Sequence, residues 1–271
     1  MKKIDHGKIE HLLASVDELK QKIDSVSKGR EYLWTAIHEK IRYSWTYNTN
    51  AIEGSTLTEG ETIFFLREGL TVEGKPFKDF VDAKNHHEAI EYLFDFISKK
   101  RELSAGFIKE INALLLKGVT STPAIDQYGN RIEKKATPGE YKKLPNHVLQ
   151  SDGTIHYYVE PLKVQEEVEN LISWIRESSE HPVVVSAVTH YEFVRIHPFD
   201  DGNGRETRLL MNLILIENGF VPAVIKNEKR REYINCLVLA DKGDLSEFIA
   251  FIAQSLIETM DQIIAEFNKN T

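Results

Sequence analysis

The sequence predicts a mainly α-helical fold with one small β-hairpin. Apolar residues recur at alternating three- and four-residue steps through most of the 271 residues, which is the period of amphipathic helices. Two short runs, 144–149 and 154–159, flank a Gln-Ser-Asp-Gly turn and have the pattern of a hairpin. Pro145 has no amide hydrogen to donate, so we expect its strand at a sheet edge.

The chain begins with three predicted helices. The first carries an apolar seam of Ile9, Leu12, Val16, Leu19, Ile23 and Val26. We expect this seam to pack onto the main body, because at under about three heptads it is short for self-association. The second helix covers roughly 30–45. Thr58-Glu59-Gly60-Glu61 has the form of a capping box and predicts a short third helix that ends near Gly69.

The rest of the chain continues the helical pattern. We predict helices at about 80–99, 104–117, 161–175 and 182–196, then from near Glu206 to 217, and over 228–240 and 244–268. The helix over 182–196 carries Val184, Ala187, Val188, Tyr191 and Val194 on one face, which is typical of a buried central helix. The segment 119–138 has the composition of a loop.

Composition excludes several classes of protein. With 41% hydrophobic residues the chain can bury a sizeable core, and a net charge of −8 with a pI near 5.7 disfavours nucleic-acid binding. The single cysteine, Cys236, excludes an internal disulfide and favours a cytoplasmic location. No signal peptide follows Met1, and no run of about 18 uncharged apolar residues exists, so we expect no membrane association.

The most informative stretch is His-Pro-Phe-Asp-Asp-Gly-Asn-Gly-Arg-Glu-Thr-Arg, residues 197–208. It predicts a helix that ends at His197, a loop, and a second helix that begins near Glu206. Arg205 and Arg208 would then lie in the first turn, where the helix dipole disfavours each cation by ~0.3–1 kcal/mol. A polyanion bound at this helix N-terminus would remove the penalty, and guanidinium groups suit phosphate oxygens.

The same loop carries the other groups that phosphate chemistry needs. Gly202 and Gly204 allow successive backbone N–H groups to point into one concavity, and Asn203 adds a side-chain donor. Asp201 can hold Mg²⁺ against the phosphates. A neutral His197 can remove a proton from an attacking hydroxyl. Together these residues predict phosphoryl or nucleotidyl transfer.

Other interpretations of this stretch are weaker. A loop of Asp, Gly and Asn is ordinary composition when taken alone. An EF-hand calcium loop fails, because the twelfth residue counted from Asp200 or Asp201 is Met211 or Asn212 rather than glutamate. The two histidines of the region lack a third ligand for zinc.

At these residues the sequence resembles the Fic (Fido-domain) family, whose motif is His-x-Phe-x-Asp/Glu-Gly-Asn-Gly-Arg-x-x-Arg. The matching residues are His197, Phe199, Asp201, Gly202, Asn203, Gly204, Arg205 and Arg208. The resemblance implies a Fido-type helical core over about 104–254, after an N-terminal helical segment over 1–103 and before the end of the C-terminal helix over 255–271. Family members transfer AMP from ATP to a Ser, Thr or Tyr hydroxyl of a target protein.

The resemblance also implies a role for each motif residue. His197 would be the general base and Asp201 the Mg²⁺ ligand, with residues 202–204 at the α-phosphate and the two arginines on the β- and γ-phosphates. A lysine in place of Gly204 marks phosphotransferase relatives, so the glycine favours adenylyl transfer. The implied ATP-binding set is Gly153, Thr154, Ile155, His156, Asp201, Gly202, Asn203, Gly204, Arg205, Thr207, Arg208 and Tyr233.

A second match lies upstream, in Thr-Asn-Ala-Ile-Glu-Gly. Thr49, Glu53 and Gly54 fit the pattern Ser/Thr-x-x-x-Glu-Gly/Asn of the family's inhibitory helix, placed here N-terminal to the core. If Glu53 pairs with Arg208, it occupies the group meant for the γ-phosphate, and ATP binds weakly or in an unproductive pose. Breaking a partly buried Arg–carboxylate pair leaves a charge unpaired, so such a pair is suited to blocking the site.

The hairpin resembles the family's flap, whose edge aligns a target segment by strand addition, and its residues 153–156 cover the nucleotide in relatives. Tyr233, in an Arg-x-x-Tyr neighbourhood, is a candidate to pack on adenine, with core packing as the alternative. The sequence departs from the family where Glu206 adds a negative charge near the phosphates and Lys142 replaces a common arginine. Asp241 stands where relatives often have Asn and is left out of the site.

Two other functions stay open. Glu53 could orient a water that hydrolyses AMP from a modified protein, with His197 protonating the leaving hydroxyl. A non-enzymatic nucleotide-sensing or interaction module is less favoured, because binding alone does not need an intact His197 and Asp201. Apolar helix faces could also support a homodimer that restrains the Glu53 helix.

Overall fold

The mainly helical fold is confirmed. The computed structural model of the chain describes residues 2–125, 130–146, 148–149 and 155–269. Its elements, in chain order, are α1 (His6–Ser27), α2 (Glu31–Ile52), α3 (Glu59–Glu68), α4 (Phe77–Ser98), α5 (Ala105–Leu115), β1 (Ser121–Ile125), β2 (Arg131–Lys135), β3 (Val148–Leu149), β4 (Ile155–His156), α6 (Val164–Glu177), α7 (Pro182–Ile196), α8 (Asn203–Glu217), α9 (Arg230–Asp241) and α10 (Ser246–Lys269).

The two helices that flank the motif loop form the centre of the fold. α7 has the bounds that its apolar face predicted, and residues 183–191 within it are buried. Residues 205–215 of α8 are buried as well. Both helices contribute side chains to the two large apolar clusters of the core. The loop between them is therefore held at both ends by rigid, well-packed elements.

The N-terminal helices pack onto this body. Ile9, Val16 and Ile23 of α1 are buried in the same cluster as the apolar face of α10, so the predicted packing of the seam is confirmed. The capping box at Thr58 is present, and α3 stops at Gly69, whose φ of 71° suits glycine. In the part of the chain that the structure describes, α10 is the one helix long and apolar enough to suit a membrane span, and 61% of its 18-residue window is buried.

The second helix is longer than its apolar pattern predicted. α2 runs to Ile52 rather than to about residue 45. Its last turns are polar in sequence yet buried, so the helical period of apolar residues is absent there. The side-chain amides of Asn48 and Asn50 donate to the carbonyl oxygens of Ser44 and Thr46, both at the i−4 position. This extension carries Glu53 to the motif loop.

Two small antiparallel hairpins lie on the helical body. β3 and β4 pair within the predicted hairpin, through Val148 with His156 and Leu149 with Ile155. The second hairpin is a correction, because β1 and β2 pair from Ser121↔Lys135 to Ile125↔Arg131 within the segment expected to be a loop. β2 reads Arg-Ile-Glu-Lys-Lys and has no apolar alternation, which is why a sequence pattern did not find it.

Candidate active site

The turn between α7 and α8 begins at His197. α7 ends at Ile196 because the ring of Pro198 disfavours helical geometry for the residue before it. His197 has a left-handed backbone, with φ 49° and ψ 61°, and its N–H donates to the carbonyl oxygen of Phe193 at 2.9 Å. This conformation is uncommon for a residue with a side chain, and it turns the chain sharply into the motif loop.

The side chain of Asn203 closes this loop. Its Oδ1 accepts from the N–H of Phe199 at 3.0 Å, and its Nδ2 donates to the carbonyl oxygen of the same residue at 2.8 Å. An anion would therefore meet the backbone N–H of Asn203 rather than its side chain. α8 begins at Asn203 and not near Glu206, so Arg205 lies in the first turn and Arg208 in the second. The dipole penalty on Arg208 is correspondingly smaller.

Arg208 contacts the end of α2. Its Nη2 donates to Oε1 of Glu53 at 2.6 Å and to the carbonyl oxygen of Thr49 at 3.2 Å. The guanidinium side chain is 2% exposed, whereas the side chain of Glu53 is 43% exposed and lines the cleft. The structure thus brings together the two groups that the upstream motif paired, and one partner of the pair remains open to solvent.

Glu53 lies directly over the start of α8. A methyl group added at Gly204 would overlap Oε1 of Glu53, so a side chain at 204 and this carboxylate compete for the same space. Burial by itself raises the pKa of Glu53, but the charges of Arg208, Arg205 and Arg230 outweigh it, and the pKa is lowered. Glu53 is therefore an anion at the place where phosphates are expected.

Arg205 pairs with a second carboxylate, Asp82 of α4. Its Nη1 donates to Oδ1 of Asp82 at 2.7 Å, and the two side chains are 5% and 9% exposed. Lys78, one turn earlier on α4, forms a salt bridge with the other carboxylate oxygen of Asp82. Sequence reasoning missed this contact, because Asp82 lies 123 positions before Arg205 in a helix with no recognisable motif.

The imidazole of His197 stacks on Tyr158. The ring centroids are 3.9 Å apart and the planes make an angle of 20°. Burial, with a further contribution from the charge of Lys142, lowers the pKa of His197 to about 3. The imidazole is neutral at physiological pH and can accept a proton from a hydroxyl. Tyr158 follows β4 by two residues and was also missed by sequence reasoning.

Lys142 is buried at the end of α7. Its Nζ donates to Oδ1 of Asn146 at 2.8 Å and to the carbonyl oxygen of Ile196, at the end of α7, at 3.3 Å. Burial lowers the pKa of Lys142 to about 8. The lysine that replaces the family's arginine thus supports the end of the helix that presents His197.

A cleft of about 410 Å³ lies at the motif loop. It is lined by Asn50, Glu53, Gly54, Ser55, Lys78, Asp79, Asp82, His197 and residues 200–205.

The side chain of Asp201 is 32% exposed, and its Oδ1 accepts from the N–H of Gly202 at 2.6 Å. Within the described ranges no cluster of three or more His, Cys, Asp or Glu residues could hold a metal alone. A single carboxylate that shares the ion with substrate phosphates and water is the usual arrangement for Mg²⁺, so Asp201 fits this ion. A groove of about 470 Å³ elsewhere is lined by no motif residue.

Glu206 does not add charge to the cleft. Its side chain is fully buried, and Oε2 accepts from Nδ2 of Asn112 at 3.2 Å. Burial raises the pKa of Glu206 well above its ordinary value, which favours the neutral acid. Asn112 also donates to the carbonyl oxygen of Asp201 at 3.1 Å and accepts from the N–H of Gly139 at 3.0 Å. Asn112 is a further support of the loop that the sequence did not reveal.

Thr207 and Tyr233 occupy the core. The hydroxyl of Thr207 donates to the carbonyl oxygen of His190 at 2.9 Å, and the hydroxyl of Tyr233 lies 2.9 Å from Nε2 of the same histidine. Tyr233 is 3% exposed, which matches the alternative of core packing for its side chain. A contact of either residue with ATP stays a prediction.

The flap is described in part. Gly153 and Thr154 lie outside the described residues, while Ile155 and His156 form β4. Nδ1 of His156 is 3.7 Å from Oδ2 of Asp241, whose Oδ1 accepts from the hydroxyl of Tyr191 at 2.9 Å. Asp241, which the sequence analysis left out of the site, therefore lies at the base of the flap.

Comparison with known proteins agrees with this geometry. Residues 102–215 match the model of the Fic/DOC family. The chain is 30% identical over 260 residues to a protein adenylyltransferase Fic of Nematostella vectensis, with 94% of this chain and 56% of the relative covered. It is 29% identical over 260 residues to one of Drosophila ananassae, with 92% and 48% covered. The chain spans about half the length of the curated relatives it matches.

Solved structures show the same fold. A Fic domain containing signaling protein from Bacteroides thetaiotaomicron superposes with a TM-score of 0.82 at 28% identity, covering 94% of this chain and 97% of that one. A fragment of Fic-1 from C. elegans gives 0.76 at 26% identity, covering 97% and 73%. The motif loop and its two arginines lie within the matched residues, so residues 102–215 form a domain of the Fic/DOC family.

Proposed function

We propose that this chain is a protein adenylyltransferase that transfers AMP from ATP to a Ser, Thr or Tyr hydroxyl of a target protein. The observation that carries the proposal is the position of the His197 imidazole in a cleft whose other groups suit a bound triphosphate. Relatives named protein adenylyltransferase Fic, at 29–30% identity, support the same activity.

The proposed reaction is an in-line displacement. The target hydroxyl attacks the α-phosphorus and His197 accepts its proton, so that the new O–P bond joins the target to AMP. The bond from the α-phosphorus to the bridging oxygen breaks, and pyrophosphate leaves. The N–H groups at the start of α8 stabilise the charge on the α-phosphate, while Arg205 and Arg208 bind the other two phosphates. Mg²⁺ held by Asp201 neutralises phosphate charge when it is bound.

In this proposal Glu53 keeps the site inactive. Its carboxylate takes the Arg208 donor that a γ-phosphate needs, and it lies against Gly204 at the start of α8. The carbonyl oxygen of Ile52, one residue earlier, accepts from Nε of Arg230 at 2.8 Å, which holds the end of α2 in place. ATP can bind productively only when the exposed carboxylate of Glu53 moves aside.

The test is transfer from ATP labelled at the α- or the γ-phosphate, with mass spectrometry of the protein. We expect Glu53→Gly to gain AMP on itself from the α label and Glu53→Gly/His197→Ala to lose it. Glu68→Gln, at an exposed position of α3, is the matched control and should behave as wild type. Transfer of the γ label, or α transfer that survives loss of His197, would contradict the proposal.

A target segment is proposed to dock on the flap. β3 and β4 form a two-stranded sheet, so each has an outer edge that an extended segment can join. Tyr158, two residues beyond β4, already contacts the ring of His197, which connects this edge with the base. If this is correct, adding Leu149→Pro to Glu53→Gly should abolish modification of the target while leaving ATP binding unchanged. Equal modification by Glu53→Gly with and without Leu149→Pro would exclude docking here.

The reverse reaction is the second candidate, and the position of Glu53 favours it. An ionised, partly exposed carboxylate in the same cleft as His197 can accept a proton from a water that attacks AMP-modified protein. The substrate for this test is target protein to which the Glu53→Gly variant has transferred AMP. Release of AMP by wild type but not by Glu53→Gln would assign the reverse reaction; no release by either would leave Glu53 with the inhibitory role alone.

A further inference from the structure

Each motif arginine is paired with a carboxylate from the N-terminal segment. Arg208 donates to Glu53 at 2.6 Å, and Arg205 donates to Asp82 at 2.7 Å. The two donor–acceptor distances are nearly equal, but the acids differ in burial. The side chain of Glu53 is 43% exposed and that of Asp82 is 9% exposed.

Asp82 is also the better anchored of the two. Its second oxygen forms the salt bridge with Lys78 on the preceding turn of α4. Asp79, which shares a face of α4 with Asp82, accepts from the N–H and the hydroxyl of Thr56, each at 2.7 Å. The same face of α4 is therefore fixed both to the segment that follows Glu53 and to α8.

The contact leaves Arg205 able to bind phosphate. A guanidinium carries five N–H donors in a rigid plane, and Asp82 engages Nη1. Nη2 lies 3.7 Å from Oδ1 of Asp201, and Arg205 itself lines the cleft. A long side chain that is held in this way loses less freedom when a phosphate binds, so a fixed Arg205 binds a triphosphate more tightly than a mobile one.

We infer that Asp82 is a positioning residue: it holds Arg205 in place for the triphosphate, whereas Glu53 is displaced by it. The inference rests on the proposed nucleotide site. The inference predicts that the two acids have opposite effects on ATP binding. Loss of Glu53 frees Arg208 to bind phosphate, whereas loss of Asp82 leaves Arg205 without its anchor. If Asp82 were instead a second inhibitory acid, its loss would strengthen ATP binding.

Nucleotide affinity separates these cases. We would measure the binding of Mg·ATP and of AMP by calorimetry in Glu53→Gly/His197→Ala, which cannot turn over by the proposed route. Adding Asp82→Asn should weaken ATP by about tenfold and leave AMP within about twofold, because AMP lacks the phosphates that Arg205 binds. Asp95→Asn is the matched control on the same helix, since Asp95 forms an exposed pair with Lys99 at 2.8 Å.

Three outcomes would overturn the inference: unchanged ATP affinity, tighter ATP binding, or an equal loss of ATP and AMP. A further comparison uses Arg205→Met with and without Asp82→Asn. It applies even if Asp82→Asn alone folds poorly, because removing both partners leaves no unpaired buried charge. There, Asp82→Asn should change ATP affinity by less than about twofold; a tenfold loss would refute an action through Arg205. Absence of AMP transfer in Glu53→Gly would end the proposed function but not this result.

Discussion

Replacing Glu53 by glutamine keeps the shape of the side chain and removes the charge that faces Arg208. We expect Mg·ATP to bind more tightly to this variant, because its phosphates no longer have to displace an anion. Exposed ion pairs contribute ~0–1 kcal/mol, and breaking a fully buried pair costs ~3–5 kcal/mol. With one partner 2% and the other 43% exposed, this pair lies between these limits, at ~1–2 kcal/mol.

That range corresponds to ATP binding that is ~5–30-fold tighter, since 1.4 kcal/mol is about tenfold. The same substitution leaves Arg208 buried without its carboxylate, so the free protein should melt ~2–8 °C lower. Calorimetry in a His197→Ala background and thermal melts without nucleotide measure the two effects, with Glu68→Gln as control. An affinity within about twofold of the parent would refute the idea that Glu53 competes with the phosphates. Tighter binding without any loss of stability would refute the energy assigned to the pair.

Four further predictions concern the groups around the motif loop. The pKa of His197 is lowered to about 3, so AMP transfer by Glu53→Gly should show no loss centred near pH 6.5 in its pH–rate profile. The same depressed pKa means that stability falls as pH drops from 6.5 towards 3, and His197→Gln should reduce this slope in denaturant melts. The pKa of Glu206 is raised, so its burial costs stability as pH increases above 4.5. Glu206→Gln should therefore match or exceed wild-type stability at pH 8. Glu206→Ala removes one of the two oxygen atoms that accept from Nδ2 of Asn112, so it should lose ~1–3 kcal/mol. In the Glu53→Gly background, Tyr158→Phe should keep the stack on His197, whereas Tyr158→Leu should lower kcat by about tenfold without changing ATP affinity. Tyr157→Leu, at an exposed position, serves as control.

Local signals predicted the elements that depend on neighbours in the chain. The face of α7, the capping box at Thr58 and the motif loop are each formed by one continuous stretch of sequence, where the spacing of residues determines which side chains lie together. The order of the predicted helices and hairpin along the chain also predicted the fold class. The pairing of Glu53 with Arg208 was predicted through a second motif rather than through any general rule of packing.

The supporting residues could not be predicted in this way. Asp82, Asn112 and Tyr158 reach the motif loop from α4, α5 and the flap, and each lies in a stretch whose local pattern is ordinary. The end of α2 was missed for a related reason, since its buried polar residues satisfy their hydrogen bonds with distant partners, such as Asn48 with the N–H of Asn227 at 2.8 Å. Contacts between residues that are distant in sequence determine these positions, and the spacing of apolar residues carries no information about such contacts.

Burial, rather than residue type, distinguishes the two acids at the arginines. An acid that is shielded from water and bound to a second cation cannot leave without stranding a charge, so Asp82 fits a permanent contact. An acid that is nearly half exposed can exchange its partner for water, so Glu53 fits a contact that a nucleotide replaces. The N-terminal segment therefore supplies both contacts from one packed unit, in which Asp79 ties α4 to the chain three residues after Glu53. A movement of the end of α2 that leaves α4 in place would release Arg208 and keep Arg205 anchored. A bound triphosphate requires this arrangement of the two arginines.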